Sequence, residues 1–140
     1  MSTPVFPYRA LVADDSADHR ALVHDMLEPL GFDVAFASDG RELFWKLHAL
    51  RRVPNQPDWI VLTDIRMPVY GGLDVLEAWP DEPFPCPVVV MTAFPDLAVA
   101  ERVRSLGGLL LAKPFTLEQL RRTLARACEA ADAHDAESAS

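Results

Sequence analysis

The chain has 140 residues, half of them hydrophobic, and a formal net charge of −8. That length buries one ordinary core and is too short for two domains of usual size, while the net acidity repels nucleic-acid phosphates and anionic membranes and so argues against direct DNA binding. Two cysteines, Cys86 and Cys128, are too few and too far apart for a disulfide framework or a four-ligand zinc site; with no run of about 18 apolar residues, and no basic segment leading into an apolar one over Met1 to Pro7, a soluble, cytoplasmic protein is expected.

Strand-like apolar runs alternate with helical segments five times. Tyr8 to Ala13 reads as the first strand, stopped by Asp14, Asp15 and Ser16. From Ala17 to Leu30 the residues Leu22, Met26, Leu27 and Leu30 recur at helical spacing, and Gly31 sits where a helix C-terminus favours it. Asp33 to Ala37 reads as a second strand. Asp39 stands three residues before Glu42, a capping-box pattern opening a helix to about Leu50. Arg51 to Asp58, with Pro54 and Pro57, reads as loop. Trp59 to Thr63 is a third strand, apolar on both faces as in a covered parallel sheet, and Asp64 ends it. Gly71 and Gly72 precede a short helix near Leu73 to Trp79, and four prolines from Pro80 to Pro87 forbid regular structure. Val88 to Met91 is the fourth strand, Asp96 to Leu106 a helix broken off at Gly107 and Gly108, and Leu109 to Ala112 the fifth strand. Thr116 and Gln119 form a second capping box, opening a last helix to about Ala131. Residues 1–131 are thus expected to form one domain, and 132–140, small and polar, a disordered tail.

Five βα units in series predict an α/β fold: a five-stranded parallel sheet with helices on both faces, since each parallel connection needs a crossover. Ligands of such sheets bind beyond the carboxyl ends of the strands. The residues there are Asp14 and Asp15 after the first strand, Asp64 at the end of the third, Thr92 after the fourth, and Lys113 and Pro114 after the fifth. Three carboxylates crowded at one edge repel one another unless protonated or bound to a cation, and hard oxygen ligands with room for water suit Mg2+. Lys113 supplies a point charge for an anion, and Thr92 a hydroxyl that can donate to a phosphoryl oxygen. A carboxylate held beside such cations can attack a phosphoryl group and form an acyl phosphate. Asp64, ending a central-looking strand, is the candidate nucleophile, with Asp14 and Asp15 holding the metal. Taken singly these residues mean little. With 13 aspartates in the chain about one Asp-Asp pair arises by chance, and Asp64, Thr92 or Lys113 alone could be a cap or a surface charge. Their arrangement, each at the correct end of its strand, points to a site.

The stretches Leu11-Val12-Ala13-Asp14-Asp15-Ser16, Val61-Leu62-Thr63-Asp64-Ile65-Arg66-Met67-Pro68, Val88-Val89-Val90-Met91-Thr92-Ala93 and Lys113-Pro114-Phe115 resemble, in order and spacing, the signature segments of response-regulator receiver domains, over about Tyr8 to Ala131. The resemblance implies a flavodoxin-like doubly wound (βα)5 fold and a phosphorelay switch, here a stand-alone receiver. It implies that Asp64 accepts a phosphoryl group from a sensor histidine kinase or histidine phosphotransfer protein. Asp14, Asp15, Asp64 and the backbone carbonyl of Arg66 would bind Mg2+, Thr92 would swing toward the phosphate and Lys113 would pair with it. Phosphorylation would then switch binding to a downstream protein, with at most self-catalysed phosphorylation and dephosphorylation as activity. Arg66 and Phe94 occupy positions that tune phosphate lifetime in the family. Leu110 stands where the family usually has a tyrosine or phenylalanine, three residues before Lys113. A cis Lys113–Pro114 bond is expected, because the lysine must turn back toward the site and proline tolerates cis.

Two other functions compete. A phosphatase of the haloacid-dehalogenase type would need a second aspartate two residues after the nucleophile as general acid, where this chain has Arg66. A constitutive receiver-like scaffold would keep the fold and never be phosphorylated. His19, His24 and His48 fall on helices without a metal-like neighbour pattern and are expected to be exposed or half-buried packing residues, and Trp45, Trp59 and Trp79 read as core or edge packing. The six glycines fit no nucleotide-binding fingerprint. Arg102, Arg104, Arg121, Arg122 and Arg126 on the last two helices form either a solvated face or a partner surface.

Overall fold

The computed structural model of the chain describes residues 6, 8–50, 58–79, 84 and 86–139, of which 131–139 by backbone alone. The elements are β1 (Tyr8–Ala13), α1 (Ala17–Leu27), β2 (Val34–Ala37), α2 (Gly40–Ala49), β3 (Asp58–Asp64), α3 (Gly72–Glu77), β4 (Val88–Thr92), α4 (Leu97–Ser105), β5 (Leu109–Ala112) and α5 (Leu117–Ala139). The strands form one sheet in the order β2-β1-β3-β4-β5, with every neighbouring pair parallel. Alternate side chains of a strand face opposite sides, and two cores result. Ala10, Val12, Ile60, Leu62, Val89 and Met91 pack with Val23 and Leu27 of α1 and Leu120 and Leu124 of α5. Leu11, Ala13, Val61, Val88 and Val90 pack with α2, α3 and α4 through Leu43, Leu47, Leu73, Leu76 and Val103. This two-faced burial explains why β1, β3 and β4 read as continuous apolar runs.

The strand order reverses at β1, whose neighbours are β2 on one side and β3 on the other. Connections from the two strands therefore leave in opposite directions, opening a crevice between the carboxyl ends of β1 and β3. Asp14 and Asp64 stand at that crevice.

Boundaries differ from expectation at a few places. The first helix stops at Leu27 and tightens into a 3-10 turn over Glu28–Leu30, because Pro29 lies in its first turn and Gly31 takes a left-handed φ of 95°. Asp58, expected in the loop, pairs with Tyr8 and opens β3. The last helix continues to Ala139 instead of ending near Ala131, so the expected disordered tail is corrected to helix as far as that residue. The segment is rich in alanine, the strongest helix former. The expected loop at 51–57, the proline-rich positions 80–83 and 85, and residues 1–5 and 7 lie outside the described residues.

Candidate phosphoacceptor and metal site

Asp14 is the first residue past β1. Its N–H still donates to the Ala37 carbonyl of β2 at 3.0 Å, which extends the sheet by one residue and leaves Asp14 only 1% exposed. A buried carboxylate needs partners, and this one has several. Its Oδ1 accepts the Ser16 N–H at 2.9 Å, and its Oδ2 accepts from Lys113 Nζ at 3.2 Å and from His19 Nδ1. Arg20 Nη1 donates to its backbone carbonyl at 2.6 Å. Burial pushes the Asp14 carboxyl upward, but the hydrogen bonds from His19 and Ser16 and the charges of Lys113 and His19 outweigh it and hold the group at about 2. Asp15, next in the chain, is exposed.

Asp64 ends β3, paired with Met91 of β4. Its Oδ1 accepts the N–H of Ile65 at 2.7 Å and its Oδ2 accepts from Lys113 Nζ at 2.9 Å. Its side chain is 16% exposed, so it is reachable from solvent. Gly72 explains how α3 fits beneath this strand end: a Cβ there would lie 2.2 Å from the Asp64 carbonyl oxygen and 2.4 Å from Thr63 Oγ1. The glycine, read from the sequence only as punctuation, permits this close approach.

Lys113 follows β5, with its backbone N–H on the Thr92 carbonyl at 2.8 Å. The Lys113–Pro114 bond is cis, as expected. The ammonium bridges the ends of β1 and β3. Asp14, Asp15 and Asp64 each offer a carboxylate oxygen, all within 4.8 Å of one another. Thr92 is buried at the neighbouring strand end, where its hydroxyl accepts the Phe94 N–H at 3.1 Å. The sequence thus nominated Thr92 for the right edge, but its hydroxyl is engaged with its own loop. Arg66, in the loop after Asp64, places its guanidinium over the Phe94 ring at 5.3 Å, so the two positions singled out for phosphate lifetime touch each other.

Sequence reasoning missed two features. His19, read as a packing residue, reaches Asp14, and its ring meets Phe115 edge-on at 6.1 Å. The signal was its place in the first turn of the helix that follows Asp14 and Asp15. His24 and Asp25 on α1 and Glu28, which caps its C-terminus, also bring three ligand atoms within 4.8 Å of one another, a neighbour pattern visible in the sequence as i, i+1 and i+4.

The response regulator receiver domain family matches this chain over residues 10–125. The chain belongs to this family. The receiver is 31% identical over 120 residues to the probable chemotaxis protein CheY of Rhizobium etli, covering 83% of this chain and 88% of that protein. It is 40% identical over 124 residues to the transcriptional regulatory protein PrrA of Mycobacterium tuberculosis, covering 86% of this chain but only 49% of that protein. Among solved structures, the chemotaxis response regulator CheY4 of Vibrio cholerae superposes with a TM-score of 0.70 at 28% identity, covering 86% of this chain and 98% of that one. The flavodoxin-like receiver fold is therefore shown. Phosphorylation on an aspartate is the general function of receiver domains in two-component systems. They are phosphoacceptor switches and not classical enzymes, they receive the phosphoryl group from histidine kinases or phosphotransfer proteins, and they bind Mg2+ at an acidic pocket. Among the described residues, no helix of this receiver is long and apolar enough to cross a membrane.

Proposed function

We propose that Asp64 is the phosphoacceptor of this receiver, served by Asp14, Asp15, Thr92 and Lys113. The observation that carries the reading is the Lys113 ammonium shared between the carboxylates of Asp14 and Asp64 at 3.2 and 2.9 Å. An anion arriving at Asp64 meets a fixed positive charge there. A carboxylate oxygen of Asp64 attacks phosphorus of the donor phosphohistidine; the new O–P bond forms as the P–N bond breaks, and the imidazole leaves with the bonding pair and takes up a proton. Lys113 then pairs with the phosphoryl oxygens, and the Thr92 hydroxyl turns from the Phe94 N–H to donate to them.

The donor set suits Mg2+, because three carboxylate oxygens within 4.8 Å are hard ligands that leave room for water and phosphate oxygens. Asp14, Asp15, Asp64 and the Arg66 backbone carbonyl would hold it. When bound, Mg2+ supplies neutralisation of the charge developing on the transferred group. Any phosphorylation from small donors, and any hydrolysis of the acyl phosphate, is self-catalysed by this same site. The haloacid-dehalogenase chemistry is disfavoured by Arg66, whose side chain lies on Phe94 and carries no acid.

The donor is a sensor histidine kinase or histidine phosphotransfer protein, and the output is binding to a downstream protein in the cytoplasm. The net charge of −8 argues against direct contact with DNA. Residues 1–131 form the working unit. To test the acceptor, the native protein and Asp64→Asn are incubated with Mg2+ and acetyl phosphate and weighed intact. The native protein gains one labile phosphate and Asp64→Asn gains none; a normally phosphorylated variant rejects the assignment.

A further inference from the structure

Asp14 depends on Lys113, and Lys113 is shared. Its ammonium lies 3.2 Å from Asp14 Oδ2 and 2.9 Å from Asp64 Oδ2, so whatever draws it toward an incoming anion weakens its hold on Asp14. His19 contacts the same Asp14 oxygen from the first turn of α1. We propose that His19 is a positioning residue that fixes the Asp14 carboxylate for Mg2+ independently of Lys113. The inference rests on Asp14 being one of the metal ligands.

The local structure places the imidazole there. Ser16 caps α1 by accepting the His19 N–H at 3.2 Å, which makes His19 the third residue of the helix. Side chains of a helix lean toward its N-terminus, here back over the end of β1. Phe115, following the Lys113–Pro114 turn, abuts the ring edge-on at 6.1 Å, and the side chain is 18% exposed. A carboxylate only accepts, so the Nδ1 proton faces Asp14. A carboxylate offers about four acceptor positions. The Ser16 N–H takes one on Oδ1, and His19 and Lys113 take two on Oδ2. Rotation of the carboxylate would break all three bonds, so the remaining position keeps a fixed direction. Groups of this kind, one bond removed from a metal, commonly change its affinity about 10- to 100-fold.

Calorimetric titration of Mg2+ into the native protein, His19→Leu and His19→Asn, paired with melting curves in EDTA, tests the assignment. Leucine keeps an apolar contact with Phe115 and loses the donor; asparagine keeps an N–H near the Nδ1 position. His19→Leu is expected to bind Mg2+ about tenfold more weakly while melting in EDTA like the native protein, and His19→Asn to recover most of the loss. Native affinity in His19→Leu overturns the proposal. So does an equal loss in both variants, or a loss that follows a lowered metal-free melting temperature, either of which makes His19 a packing residue. Failure of the native protein itself to bind Mg2+ would instead overturn the metal reading of Asp14, and this inference with it.

Discussion

Val69 takes a φ of 72°, a left-handed conformation that costs a β-branched residue roughly 1–3 kcal/mol. The Tyr70 N–H donates to the Pro68 carbonyl at 2.9 Å across it, closing the rare, strained form of the three-residue turn. Val69 is 67% exposed, so little burial offsets the strain. Val69→Gly, which has no Cβ to strain, should leave stability in urea unfolding unchanged or raise it; a fall of about 1 kcal/mol, the ordinary cost of introducing glycine, would show that the turn is not strained. Gly72→Ala should act in the opposite sense, because its Cβ meets the backbone oxygen of Asp64. The glycine could not be interpreted from sequence, since nothing local says which backbone comes near. Asp14, Asp64 and Lys113 were legible because a strand end fixes where a residue lies relative to a parallel sheet. His19 was not, because its meaning depends on Asp14 and Phe115, which converge only when the first and fifth units pack.

At the level of elements, the capping boxes were readable and their consequence is measurable. Asp39 caps α2 by accepting the Glu42 N–H at 2.8 Å, and the Glu42 carboxylate, in the first turn, accepts from the Ser38 hydroxyl at 2.8 Å and pairs with Lys46 at 2.8 Å. The Lys46 and Ser38 side chains, with the Ser38 backbone N–H, hold its pKa at about 2 against the ordinary 4.5, outweighing burial. A folded pKa below the unfolded one contributes stability above about pH 4.5, lost as pH falls toward 2. The group is 38% exposed, so solvent screening makes the contribution modest. Glu42→Gln should therefore lower the melting temperature slightly at pH 6 and match the native protein near pH 2; a gap that widens in acid contradicts the pairing.

Elements also carry the expected switch. Leu110 lies on β5 beside Val90 and is half-buried against the core that faces α2, α3 and α4, and leucine has no hydroxyl to expose or bury. Movement is expected instead in the loop after Thr92, whose hydroxyl presently holds the Phe94 N–H, and in α4. With a beryllofluoride mimic, Thr92→Ala should abolish the change in hydrogen exchange over Phe94 to Ala100, whereas Leu110→Ala should retain it. The reverse pattern would assign the switch to β5. Arg102 on α4 pairs with Asp74 and Glu77 on α3, while Arg121 and Arg122 pair with Glu118. Three arginines of the basic cluster noted in the sequence, Arg102, Arg121 and Arg122, are thus paired with carboxylates. The partners of Arg102 were invisible beforehand because these pairs cross between helices, whereas Glu118 stands at helical spacing from Arg121 and Arg122.

For the whole molecule, alternation of five strand and helix patterns was enough to obtain the parallel sheet, because crossovers leave few topologies open. The end of the last helix was harder to read. Alanine-rich sequence continues a helix by propensity, whereas small polar composition suggests a tail, and propensity prevailed as far as Ala139. Leu120, Leu124, Ala127 and Cys128 are the last core residues described. Truncation after Ala131 is accordingly expected to leave urea unfolding unchanged, and truncation before Leu124 to abolish the folded state; loss of cooperative unfolding on truncation after Ala131 would refute the domain limit. The convergence of the ends of β1 and β5 on Asp64 has its most direct test in chemical mapping of the acyl phosphate. The protein is phosphorylated with acetyl phosphate and Mg2+, reduced with borohydride to convert the acyl-phosphate residue to homoserine, digested, and sequenced by mass spectrometry. Homoserine at position 64 alone, and none when Mg2+ is chelated, is the predicted result; homoserine at Asp14 or Asp15, or none at position 64, would contradict it.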